Sequence, residues 1–499
     1  MQKIKAMNKY LRAVSINFIF FAISTVSFLA ITPLAIKVMG EEFYGLWAVL
    51  VALTLFSNVG NLGISSIVMK FSSEVAAHED VQIQSNRVMT AGYFIVLVMA
   101  MVTAVILFLT RNLIADNINT SVEFREQFRQ AILWVAAGIF PQFLACVPQG
   151  FLLSQLHNQA VRQIELFSSI ALWLGAIVIA LVEKNLIFVT YWGFLSNTST
   201  LVLYMLAVIR LGIPFRLQPN LPTLRKMLNF SGWMFVQSLA ISLFQQFDKV
   251  IVSFTLGPIL AGVYSIGTSL ALRLPIIAGQ VTEVMIPYAS LKTTFGDQRT
   301  LYDTFRRLSR YISFLLAGIS SLLIIWMYEI LFLWISPGYA AQYANIFRIL
   351  IIAYCLLSLC RPGHQTLTGM GKVKFAALVY LFSTLLMLIG VFFLSSLFGF
   401  AGAVVANLLM VSLLVFNLSV YHTLQSPIQW RDVLTDIQWG FFLPPLILGL
   451  TLFLPESNII YKLVETITLG ILFFSVTIKD TFVKSKLIQV LLLVKNNQN

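Results

Sequence analysis

Charge is scarce in this sequence. Asp, Glu, Lys and Arg supply 11% of its 499 residues, under half of the roughly 25% carried by soluble domains. That scarcity excludes an ordinary water-soluble fold, and the apolar runs leave no segment for a soluble catalytic domain. Cysteine is far rarer still. Cys146, Cys355 and Cys360 each lie inside an apolar run, which reads as buried thiols rather than a disulfide framework or a metal site. The four histidines, His78, His157, His364 and His422, are scattered, and no CxxC, HExxH or His-rich tract is present. No metal and no cofactor are expected.

Hydrophobic residues fill the space, at 59% of the chain. A helix needs about twenty apolar residues to cross a bilayer. On that measure the sequence predicts about fourteen transmembrane helices, near 13–38, 43–70, 88–110, 129–154, 162–182, 186–210, 229–256, 259–287, 309–335, 345–370, 373–397, 400–422, 434–454 and 460–479. The first is followed at once by another span, so it reads as a retained helix rather than a cleaved signal peptide. The net charge of +13 is placed by the loops rather than by nucleic acid. With the N-terminus cytoplasmic, Lys3, Lys5, Lys9, Arg12, Arg210, Arg216, Arg225, Lys226, Lys292, Arg299, Arg306, Arg307, Arg310, Lys372, Lys374 and the tail lysines all fall inside. The opposite side receives little, as the positive-inside rule requires. An even number of spans puts both termini in the cytoplasm.

The two halves repeat. Cys146-Val147-Pro148 matches Cys360-Arg361-Pro362, and the same offset of 214 pairs Leu153 with Leu367 and Ser169 with Ser383. Gly45-Leu46-Trp47 matches Gly262-Val263-Tyr264 at an offset of 217. Spans one to six and seven to twelve therefore read as parallel copies of one bundle, related by a pseudo-twofold axis along the membrane normal. The expected organisation is an N-lobe over 1–210, a cytoplasmic linker over 211–228 with three prolines, a C-lobe over 229–423, and two further spans with a cytoplasmic tail over 424–499. Two lobes around a polar centre point to alternating access, and no acidic ring or carbonyl filter marks a selective channel.

Several spans carry one narrow polar face. The clearest is Tyr354, Ser358, Arg361, Gln365 and Thr368, spaced as one side of an α-helix. Ser269, Arg273 and Gln280 form a second. Ser238, Ser242, Gln245 and Lys249 form a third. Thr54, Asn58, Asn61 and Ser65 form an uncharged fourth. A charge held at membrane depth must face protein or water, which makes it a functional-site candidate.

The run from Gly40 through Tyr44 to Trp47, then Asn61 to Gly63 and Lys70 to Glu74, resembles the start of the polysaccharide-transporter (O-antigen flippase) proteins. Asp248, Gly257, Gly262 to Tyr264, Pro287, Gly369 to Lys372 and Gly399 to Gly402 extend the likeness over nearly the whole chain. This family lies within the superfamily of multidrug, oligosaccharidyl-lipid and polysaccharide exporters. The resemblance implies a flippase, not an enzyme, that carries a polyprenyl-pyrophosphate-linked oligosaccharide to the outer leaflet of the bacterial inner membrane. Membrane lipids and other membrane proteins of glycan assembly are its candidate partners. Peptidoglycan-precursor flippases of the superfamily carry arginines in their first two spans. Here span one has none after Arg12 and span two has no basic residue before Lys70, which favours a polysaccharide unit.

An anionic headgroup leaving water needs cations at the midplane, and arginine's planar fork matches phosphate oxygens. Arg273 and Arg361 are the first candidates, with Lys249 the third. Each has a plainer alternative: Arg273 pairing with Asp248, Arg361 bonding carbonyls freed by Pro362, and Lys249 pairing with its neighbour Asp248. Asn58, Asn61, Gln245, Gln280 and Gln365 are candidate sugar contacts, because amides both donate and accept; joining helices to one another is the alternative for each. A carboxylate in a dry site can hold a proton, so Asp248, Glu283 and Glu329 are coupling candidates, the last two with interfacial snorkelling as the alternative. Two rival functions remain at this stage. A drug antiporter of the same superfamily is expected to line its lumen with acidic or aromatic groups. A membrane-embedded glycosyltransferase or polymerase is expected to cluster carboxylates or a histidine at a loop.

Overall fold

Within lipid a backbone amide finds no water, so a spanning segment must satisfy its own hydrogen bonds, and an apolar chain of this length resolves into helices. The computed structural model describes residues 25–56, 81–118, 120–155, 157–210, 216–282, 285–425, 427–453 and 459–479, with residue 23 and short stretches between 64 and 72. Among the described residues there is no strand, and the protein is a polytopic all-α membrane protein. Among the described residues, ten helices are long and apolar enough to cross a bilayer. The spans expected at 13–38 and 43–70 run partly into residues outside the described set.

The first described helices are α1 (Thr25–Met39) and α2 (Glu41–Phe56), followed by α3 (Val81–Asn117), α4 (Val122–Ser154), α5 (Asn158–Glu183) and α6 (Leu186–Arg210). After the linker come α7 (Leu221–Leu256) and α8 (Pro258–Ala271). Next are α9 (Arg273–Thr282), α10 (Met285–Thr294), α11 (Gln298–Ile325), α12 (Met327–Trp334), α13 (Pro337–Leu359) and α14 (Arg361–Gly369). The chain closes with α15 (Val373–Val405), a 3-10 segment (Ala406–Leu414), α16 (Val415–Leu424), α17 (Trp430–Phe453) and α18 (Ile459–Lys479). Side chains cap several starts: Asn220 Oδ1 accepts from Thr223 N at 2.9 Å and Ser336 Oγ from Tyr339 N at 3.2 Å. Asp297 caps α11 while its other oxygen holds the Lys292 ammonium at 2.6 Å. That hydrogen bond keeps the Asp297 carboxyl below the usual carboxylate range and the Lys292 ammonium above its own. Within α15, Gly399 takes φ 60° and ψ −142° and turns the chain back.

Lipid, not water, explains what the outer surface exposes. On α3, Phe94, Leu97, Val98, Met101, Val102, Val105, Ile106 and Leu109 are exposed at helical spacing, a continuous apolar face. By contrast, 78% of the apolar window in the span Pro337–Gly369 is buried, so that span lies inside its bundle.

Packing divides the chain into two compact units. One comprises Met1–Leu270 with Val373–Leu409, the other Ala271–Lys372 with Met410–Asn499. In the first, α4 packs on α6 and α15 on α7. The paired motifs Gly45-Leu46-Trp47 and Gly262-Val263-Tyr264 meet here. A Cβ added to Gly45 would stand 1.8 Å from the Pro258 carbonyl oxygen, and one on Gly262 would stand 3.0 Å from the Gly45 Cα. Only hydrogen fits between those backbones. Gly45→Ala is therefore expected to destabilise the protein by about 1–3 kcal/mol, the cost of overpacking a tight contact. Thermal unfolding of the detergent-extracted protein measures it, and an unchanged midpoint would refute the close crossing.

In the second unit, α11 packs along α17, and their cytoplasm-assigned ends are joined by a dense ionic cluster. Asp436, fully buried, receives Arg306 Nε at 2.7 Å, Arg310 Nη2 at 2.8 Å and the Tyr421 hydroxyl at 2.8 Å. Asp432 receives Arg306 Nη2 at 3.0 Å and the Tyr302 hydroxyl at 2.8 Å. Beyond the other end of α11, the Lys462 ammonium of α18 pairs with Glu329 of α12, and Trp326 Nε1 donates to Thr466 Oγ1 at 3.0 Å. Within the second unit, α17 is thus fastened near one end of α11 and α18 near the other.

Candidate functional site

Proline makes the local architecture of the candidate site. A helical proline offers no N–H to the carbonyl four residues back and crowds it, so a helix tends to break there. Pro275 and Pro362 sit inside two expected spans, and each span is interrupted just before an arginine. The helix stops at Ala271 and restarts at Arg273; it stops at Leu359 and restarts at Arg361. Both candidate arginines are consequently first residues of new helices, α9 and α14, which pack against each other within one unit.

From residue 351 to residue 360 every side chain is buried. Through 368, the three that reach accessible surface are Arg361, Gln365 and Thr368. Their spacing of four and three places them on one face of α14. The stripe expected from the sequence is therefore two stripes. Its upper part, Tyr354 and Ser358, is 3% and 0% exposed, with Ser358 Oγ donating to the Tyr354 carbonyl at 2.5 Å. Its lower part is open. On α9, Arg273 and Gln280 are likewise partly accessible, seven residues and nearly two turns apart on one face. Arg361 Nε is buried without a hydrogen-bond partner.

The third cation sits differently. Lys249 is 6% exposed, and its ammonium donates to the Gln245 carbonyl at 2.8 Å and to Gln246 Oε1 at 2.9 Å, both on its own helix α7. Asp248 is 1% exposed and its Oδ1 accepts from the Lys249 backbone N–H at 2.8 Å. The Tyr264 hydroxyl lies beside that carboxyl and accepts from Asn407 Nδ2 at 2.8 Å. The expected neighbour pair therefore shares a backbone contact, while the ammonium turns to the two glutamines. Gln245 keeps a partly accessible side chain. Glu329 is held by Lys462. Asn58, Asn61 and Glu283 lie outside the described residues.

Sequence reasoning missed three groups. Arg348, 1% exposed, donates from Nε to the Ile324 carbonyl at 3.0 Å and from Nη1 to Asn345. Asn407 supports Tyr264, as above. Asn417, 2% exposed, bonds the backbone of the interrupted span. Their partners lie 24, 143 and more than 50 residues away, respectively, so no local pattern announces them. Among the described residues no cluster of His, Cys, Asp and Glu has the makings of a metal site.

Comparison with known proteins fits this architecture. The fold is shared with solved members of the exporter superfamily that the motifs resemble. The structure of lipid II flippase MurJ in an inward closed conformation superposes with a TM-score of 0.65 at 13% identity, over 93% of this chain and 100% of that one. An inward-facing multidrug resistance MATE family transporter of the MOP superfamily gives 0.63 at 11% identity, over 84% and 95%. Residues 37–340 match the polysaccharide biosynthesis protein family, and the chain belongs to it. A Shigella flexneri protein assigned as an O-antigen transporter is 21% identical over 396 residues, 77% of this chain and 89% of that protein. These relatives and structural neighbours are named as transporters and flippases.

Proposed function

We propose that this protein flips an anionic, polyprenyl-pyrophosphate-linked oligosaccharide from the cytoplasmic to the outer leaflet of a bacterial inner membrane, by alternating access of lobes 1–210 and 229–423. The observation that carries the reading is the open face of α14. Between residues 351 and 368, otherwise closed by protein, the side chains left accessible are an arginine, an amide and a hydroxyl. An arginine is suited to two phosphate oxygens at once. Gln365 and Thr368, which donate and accept, are suited to sugar hydroxyls. Arg273 and Gln280 on the neighbouring α9 repeat the combination. The prenyl chain stays in lipid throughout, so only the headgroup needs a polar path. Support also comes from the relatives, one assigned to O-antigen and another to lipid II.

Asp248 is the carboxylate proposed to carry a coupling proton, since the Lys249 ammonium is engaged by Gln245 and Gln246. Proton uptake at Glu329 would instead release Lys462 and unfasten α18. Both termini are assigned to the cytoplasm on the distribution of Lys and Arg.

The rival with the most support is a drug antiporter, because the fold is shared with a multidrug resistance transporter. The partly accessible arginine on α14 argues against it, since a cation brought beside another cation in a poorly solvated site is repelled. Reconstitution separates the two. Proteoliposomes containing the protein should move a lipid-pyrophosphate saccharide to the far leaflet faster than empty liposomes do, and should not pump ethidium under an imposed proton or sodium gradient. Gradient-driven ethidium export without acceleration of the saccharide would overturn the flippase reading.

A further inference from the structure

A proline at the matching place in the first half does not break its helix. Pro141 and Pro148 both lie inside α4, which runs unbroken from Val122 to Ser154. Pro148 is the counterpart of Pro362, yet the span carrying Pro362 is interrupted at Cys360. Something besides proline opens the second helix.

That element is the Asn417 side chain, which comes from α16. In a regular helix the Gly363 N–H would donate to the Leu359 carbonyl, four residues back. Here it donates instead to Asn417 Oδ1 at 3.0 Å, while Asn417 Nδ2 donates to the Leu359 carbonyl at 2.8 Å. One amide is inserted into one rung of the ladder and satisfies both halves of it. Insertion of a side chain between a helical N–H and its carbonyl is a recognised cause of kinking. The fit depends on Gly363, where a Cβ would stand 2.2 Å from Asn417 Oδ1. Arg361 lies between the two residues the amide holds apart, so the inserted amide fixes where the arginine leaves the helix.

We propose that Asn417 is a positioning residue for substrate recognition: by splinting the open rung between Leu359 and Gly363 it aims Arg361 at the phosphate groups of the lipid. This rests on Arg361 being a phosphate ligand, as proposed above. Without Asn417 the rung can close, Gly363 N–H bonding Leu359 directly, and the arginine turns away without being removed. A buried amide kept only for stability would have no reason to act through Arg361.

The test is a double-mutant cycle on the full-length protein in detergent, with farnesyl pyrophosphate as the probe ligand. Asn417→Ala should weaken binding roughly tenfold in the otherwise native protein, a coupling of ordinary size for residues acting as one unit. In the Arg361→Ala background it should have no further effect. An equal loss in both backgrounds, or no loss in the native one, overturns the positioning role alone. Unchanged binding by Arg361→Ala itself overturns the phosphate reading and this inference with it. Thermal midpoints are recorded alongside. Should Asn417→Ala fail to accumulate, Asn417→Asp, which keeps the shape and the acceptor for Gly363, takes its place in the cycle.

Discussion

Cells relying on an Arg361→Ala variant are expected to export almost none of the lipid-linked glycan, although the protein remains in the membrane at its normal amount. The arginine is the charged group on the open face of α14, and removing one partner of a desolvated charge pair costs at least about 2 kcal/mol, or roughly 30-fold. Arg361→Lys should recover only part of the rate. An ammonium is a point charge and cannot grip two phosphate oxygens as a planar fork does. Arg273→Ala should act in the same direction through α9. The assay is complementation at native expression, with membrane abundance followed in parallel. Full export by Arg361→Ala would remove the strongest support for an anionic substrate.

The second large effect is on stability. Asp436→Ala leaves Arg306 and Arg310 without their shared partner and takes an acceptor from Tyr421. Stripping one member from a buried ion cluster is costly, in the range of about 3–5 kcal/mol. The lower end is expected here, because Arg306 keeps Asp432 and Arg310 is partly exposed. Asp436→Asn should fall between, retaining shape but losing charge. The midpoint of thermal aggregation in detergent should drop, and α17 should become more accessible to protease. A variant as stable as the native protein would mean that α17 is held by its apolar packing alone.

Much of the fold was legible because lipid imposes one rule on every span. The runs predicted at 129–154, 186–210 and 229–256 are helices within a few residues of their expected ends or extend beyond them. Ends were less legible. The span expected at 345–370 begins at Pro337, where Ser336 supplies a cap, and a cap is a single polar atom that hydropathy averages away. The polar face of α14 was legible too, since spacing alone put Arg361, Gln365 and Thr368 together. The burial of Tyr354 and Ser358 on the same stripe was not, because it depends on which neighbours cover the upper turns. The same limit applies to charge. Glu329 read as a coupling candidate or a snorkelling residue, with nothing to link it to Lys462, and Arg306 and Arg310 read as loop cations. Each is paired with a residue 126 to 133 positions away, and sequence distance hides such pairs. Asn417 is the sharpest case. Nothing around it in the sequence distinguishes it from an asparagine joining two helices, and only its two opposed bonds to one broken rung give it a role.

The clamp on Asp436 also has an order in time. A ribosome makes Arg306 and Arg310 well over a hundred residues before Asp432 and Asp436. While α11 is being inserted, both arginines still lack these two partners, and positive charge beside a nascent span is what sets its direction across the bilayer. When α17 follows and docks, the same two side chains become the inner half of an ionic joint. One pair of residues therefore serves first as an address during synthesis and afterwards as a fastener. Exchanging the arginines with the aspartates would preserve the joint and invert the address. A swapped protein would contain every ion pair of the native one and still be at risk of threading α11 the wrong way round.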